Sequence, residues 1–141
     1  MFDSSLLLTG HLSVELNGEV VQEIPNLVVT TGKGYVASRI KDATATAMSH
    51  MAVGTGNTAA AAGDTALGTE AARVALTSTT VSTNTVTYVA TFPAGTGTAS
   101  LTESGILNGS SGGTLLCRTV FATVSKGSSD VMTITWVITA S

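Results

Sequence analysis

The stretch DVMTITWVIT, Asp130 to Thr139, decides the fold. Met132, Ile134, Trp136 and Ile138 fall on one face, and Val131, Thr133, Thr135, Val137 and Thr139 on the other. A strict period of two marks a strand with one buried face, because successive Cβ atoms point to opposite sides. Trp136 is the one tryptophan in the chain, and its indole would fill much of the core that this strand covers.

Upstream, the same residue types recur at similar lengths. Thr114 to Thr123 carries Leu115, Cys117 and Phe121, and the turn SKGSSD joins it to the last strand. Ala99 to Leu107 holds Glu103, Ser104 and Gly105 in mid-strand, which predicts a bulge or an exposed edge. The turn NGSSGG follows it, and the loop PAGTGT precedes it. Thr85 to Phe92 sets Val86, Tyr88, Ala90 and Phe92 on one face, after a turn at Ser82-Thr83-Asn84. Ala71 to Thr79 alternates Ala72, Val74 and Leu76 with Arg73, Ala75 and Thr77, and Ser49 to Gly54 reads as a short strand. Between them, residues 55–69 read TGNTAAAAGDTALGT. A loop of such small residues cannot build its own core and is predicted to lie across another surface, with Asp64 and Thr65 placed to cap a turn.

At the N-terminal end, Leu6 to Leu16 alternates as a strand with Gly10 as a bend or bulge. Asn17-Gly18 is the strongest short hairpin signal, since both residues accept positive φ. Glu19 to Ile24 returns as a second strand that Pro25 should end, giving a hairpin over residues 5–24. Glu15, Glu19 and Glu23 are predicted to blunt its edge. Tyr35, Val36, Arg39 and Ile40 recur at helical spacing, so a short helix is expected from Gly32 to Lys41, with Thr30 or Thr31 as its cap. The whole is an all-β domain over residues 1–141: an antiparallel β-sandwich or jelly roll of about eight strands with one short helix in the N-terminal third.

Only 11% of the residues are charged, and the net charge is -3. So neutral a surface has little to keep copies apart, which points to self-association as a dimer or trimer, or to a place in a lattice. The six basic residues are scattered, so a nucleic-acid partner is not expected. A lone cysteine forms no intrachain disulfide, and Cys117 within LLCRTVF reads as a small buried hydrophobe. MFDSSLLLTG has no basic leader and too short an apolar run for a signal peptide, and no stretch is long enough to span a membrane, so assembly in a cytoplasm is expected.

No catalytic, cofactor-binding or metal-ligating set emerges, and no cofactor is expected. His11 sits on an alternating strand and His50 beside methionines, neither with a carboxylate or thiol at metal-ligand spacing. Ser104 in ESGIL lacks the frame of a nucleophile elbow. Lys33 in GKGY lacks that of a phosphate-binding loop and reads as a solvated helix-start residue. Glu103 and Arg118 are expected to pair across neighbouring strands as a structural ion pair. The chain is therefore expected not to be an enzyme.

Three phrases carry a resemblance. MAVGTGNTAAAAGDTALGTE, ESGILNGSSGGTLLCRTVF and SKGSSDVMTITWVIT resemble small virion structural proteins of tailed bacteriophages, labelled head decoration, capsid cement or tail-fibre-like proteins. The resemblance spans Met51 to Ala140. It implies a β-sandwich that oligomerises and sits on an assembled virion, with the major capsid protein as partner. It also implies an alternative: a tail or fibre module that binds a host receptor or another tail protein.

Overall fold

The chain folds around a nine-stranded antiparallel sheet in the computed structural model, which describes residues 6–41 and 45–141. In chain order the elements are β1 (Leu8–Leu16), β2 (Glu19–Val28), α1 (Thr30–Lys41), β3 (His50–Gly54), β4 (Glu70–Ala75), β5 (Ser78–Ser82), β6 (Thr85–Phe92), β7 (Ala99–Leu107), β8 (Leu115–Lys126) and β9 (Met132–Ala140). Across the sheet the order is β4-β3-β7-β8-β2-β1-β9-β6-β5. The ladder is continuous, so the architecture is one sheet curled into a half-barrel, where the sequence suggests a sandwich or jelly roll. The joint between its halves is narrow: β2 meets β8 through only Leu27↔Arg118 and Val28↔Cys117.

The C-terminal strand lies where its alternation demands. β9 pairs with β1 and β6, and Trp136 stands opposite Leu12 on one side and Tyr88 on the other. Met132, Ile134, Trp136 and Ile138 are buried, whereas Thr133, Thr135 and Val137 between them are half-buried. The concave face thus gathers one core from β1, β6, β9, β7, β8 and β3. A second, smaller cluster lies apart from it: Val29, Ala52, Leu67, Leu107 and Leu115. Leu67 belongs to the segment 55–69, so that loop does cover another surface.

The hairpin turn is as expected, with Asn17 at φ 51° and Gly18 at φ 86°. Pro25 does not end the pairing, because β2 continues to Val28 with Pro25 opposite His11. Proline is tolerated there because no ladder partner stands on its other side. Gly10 is needed for a different reason from a bulge. The Asn26 side chain lies over it and would collide with a Cβ, and the register shift falls at Val14/Glu15 instead. The helix begins at Thr30, two residues earlier than predicted. The Thr31 hydroxyl donates to Leu115 O at 2.9 Å rather than capping, and Gly32 lets the helix backbone lie against Leu116 O.

The predicted strand Ala71 to Thr79 is two strands in different halves of the sheet. Leu76 N–H donates to Ser49 O at 2.9 Å and Thr77 N–H to Val89 O at 2.7 Å, so the chain changes partner there. Alternation continues through the crossing, which is why the sequence pattern does not show it. This raises the strand number from about eight to nine. β7 is bulged between Leu101 and Glu103 as expected, but it is no exposed edge: it lies between β3 and β8, and Glu103 is fully buried.

Candidate functional site

A buried carboxylate among apolar strands is the feature that calls for an account. β7 carries Glu103 and β8 carries Arg118, in a register that pairs Gly105 with Arg118, so Glu103 sits diagonally from the arginine on a neighbouring strand. The Arg118 Nη2 and Nε both lie 3.0 Å from Glu103 Oε1, the ion pair that the sequence suggested. Three backbone N–H groups complete the shell. Gly68 donates to Oε1, and Gly56 and Thr69 donate to Oε2, each at 2.7 Å. A buried charge is tolerable only when it is paired and hydrogen-bonded to this degree.

Arg118 reaches onward into the same loop. Its Nη1 donates to Asp64 Oδ2 at 2.9 Å and its Nη2 to Thr58 O at 3.0 Å. Asp64 also accepts the Ala61 N–H at 2.9 Å, so it caps a turn as its position suggested. Thr102 Oγ1 donates to Gly56 O at 2.8 Å, and Thr55 N–H to Thr69 O at 2.9 Å. The segment 55–69 is therefore closed at its base and pinned along its length by one buried ion pair. Gly54 and Gly56 are required here, because a Cβ at either would run into the Glu103 carboxylate.

The electrostatics follow the geometry. Burial pushes the Glu103 carboxyl up, but the N–H groups of Thr69, Gly68 and Gly56 and the Arg118 guanidinium outweigh it and hold the group below its ordinary 4.5. The carboxylate is ionised, fully buried and committed to five donor contacts. Such an arrangement holds backbone; it does not present a proton to a substrate.

A second feature is apolar. Helix α1 spans the concave side and leaves a cavity of about 460 Å³ lined by Leu8, Tyr35, Val36, Val81, Tyr88 and Ile138, among others. Burial, with Tyr35 next to it, pushes the Tyr88 phenol well up from its ordinary value, so it stays neutral. Leu6, Leu7, Ile40 and Val81 are 60–76% exposed, an unusual degree for large apolar side chains.

No protein-family model, curated protein or solved structure matches this chain.

The remaining sequence candidates are dispersed. His11 is exposed opposite Pro25, and His50 Nδ1 lies 2.8 Å from Ser49 Oγ. Ser104 is buried and donates to Ala52 O at 2.8 Å. Cys117 is buried in the main core, and burial pushes its thiol well up. Lys33 is exposed on α1. Glu19 and Glu23 lie on the length of β2 that has no partner toward β8, whereas Glu15 lies on β1 inside the sheet. Among the described residues, no group of three or more His, Cys, Asp or Glu is placed to hold a metal. Sequence reasoning missed Gly56, Gly68 and Thr69 because backbone donors carry no residue-type signal. Two charges inside the apolar runs ESGIL and LLCRTVF were the available clue.

Proposed function

We propose that the chain is a structural protein of a phage virion, a cement or decoration protein that lies on the assembled head. The observation that carries the reading is the pinned loop. Residues 55–69 form a lobe whose one charge, Asp64, is paired with Arg118 and whose backbone is tied to the Glu103–Arg118 pair, and a pre-ordered surface loses little entropy on docking. The clamp residues also fall within the two upstream phrases that carry the resemblance: Gly56, Thr58, Asp64, Gly68 and Thr69 in the first, Glu103 and Arg118 in the second. A protein bound to the shell and not to free subunits stabilises the assembled state by mass action.

The test is heat-induced genome release from particles with and without the protein. Cement predicts that stripped particles remain intact but release at lower temperature. Contacts with so few charges resist salt and yield to mild denaturant. Equal release temperatures with lost adsorption to host cells would instead favour a tail- or fibre-associated module that binds a host receptor.

A further inference from the structure

Among the described residues, β4 and β5 lack a ladder partner along the whole of one side, and β2 and β8 lack one along most of the sides they turn to each other. Open edges attract further strands, and charge or proline is the usual guard. β2 carries Glu19, Glu23 and Pro25 along its open length. β4 carries Glu70 and Arg73, the latter bonded to Gly109 O and Gly112 O. β5 reads Ser78-Thr79-Thr80-Val81-Ser82 and carries no guard, and all five residues are exposed.

The backbone of β5 is arranged to accept a strand. Ala140 N–H donates to Asn84 O at 2.9 Å, so Val86 and Tyr88 turn their backbone groups to β9, while Thr85, Thr87 and Val89 face β5. Their opposite numbers Ser82, Thr80 and Ser78 are thereby used. By the same alternation, Thr79 and Val81 hold N–H and C=O outward.

We propose that β5 is a self-association edge. Two copies join their β5 strands antiparallel about a two-fold axis through Thr80, with Thr79 opposite Val81 of the partner subunit. The sequence suits this partner because it nearly matches its own reverse. Serine meets serine at both ends, threonine meets valine twice, threonine meets threonine at the axis, and no like charges face each other. Thr79 and Val81 stand opposite Tyr88 and Val86, on the face that lines the apolar cavity, so the pairing continues that face and covers Val81. Five residues a side is well below the roughly 20–30 of a stable interface, so the contact is weak alone. Copies held side by side on a particle would gain effective concentration. The inference deepens the assembly reading by naming a second copy as partner, and it is tested on the isolated chain, so either can fail alone.

The experiment uses Thr80→Cys. The native Cys117 is buried, so the new thiol is the one exposed. A non-bonded antiparallel pair at the axis has Cα atoms about 4.5 Å apart, within disulfide reach. Ser128→Cys, also exposed but in the turn between β8 and β9, reports random collision. Under mild oxidation Thr80→Cys should form covalent dimer about tenfold faster or more, since pairing raises the local thiol concentration. Adding Val81→Lys, with an unchanged circular dichroism spectrum, should bring the rate down to that of the control. Equal rates for the two cysteines, or a fast rate that survives Val81→Lys, would overturn the proposal.

Discussion

Glu103→Gln keeps size and shape and removes the charge that holds the loop. Oε1 accepts Gly68 N–H and the Arg118 guanidinium; Oε2 accepts Gly56 N–H and Thr69 N–H. A glutamine places an amide NH₂ at one of these positions, so it meets three donors at the Oε1 position or two at the Oε2 position. Each orphaned N–H costs about 1–3 kcal/mol, and breaking a buried ion pair costs up to about 3–5 kcal/mol, an upper bound here because Arg118 keeps Asp64 as a counter-charge. The loop can escape the full sum by lifting off, which lets the N–H groups bond water. The loss is then capped by whatever holds residues 55–69 down. We expect a loss of about 3–5 kcal/mol in chemical denaturation, with faster amide exchange at Gly56, Gly68 and Thr69. Replacing both charges, as Glu103→Leu with Arg118→Met, should not rescue stability, although apolar swaps of buried ion pairs often do. The three backbone donors would still lack an acceptor. A loss below about 1 kcal/mol with unchanged exchange at those amides would refute the reasoning, since that is the worth of an exposed pair.

The other predictions concern acid, the core and helix docking. Because the Glu103 carboxyl is held below its ordinary 4.5, its stabilisation is complete above that pH and is lost as pH falls through the lower folded value. Denaturation midpoints should therefore fall more steeply below about pH 4.5 in the native chain than in Glu103→Gln, and equal acid slopes would contradict this. Trp136→Ala, at a site fully buried between Leu12 and Tyr88, should cost about 3–5 kcal/mol by chemical denaturation. Gly32→Ala places a methyl against Leu116 O, so helical propensity should rise while stability drops by about 1–3 kcal/mol, read from the thermal midpoint. Gly34→Ala, which meets open space, should be neutral or slightly stabilising by the same measurement.

Much of the β architecture is legible in the residues because strand alternation and turn chemistry are local properties. The faces of DVMTITWVIT, the Asn17-Gly18 turn and the exact span Thr85–Phe92 need no knowledge of neighbours. Glu103–Arg118 pairing was legible too, since two charges in apolar strands must find each other. What the tertiary structure alone decided is which edges are covered. The halves join through a two-residue ladder at Leu27 and Val28, and that contact makes one curled sheet out of what alternation reads as two layers. The break between β4 and β5 arises from a change of partner at Leu76 and Thr77, which leaves the side-chain pattern untouched. Pro25 stays in its strand because one side of β2 is open. The clamp itself depends on three backbone N–H groups brought to Glu103 from 34 to 47 residues away, and every residue has a backbone, so no pattern of side chains could announce them.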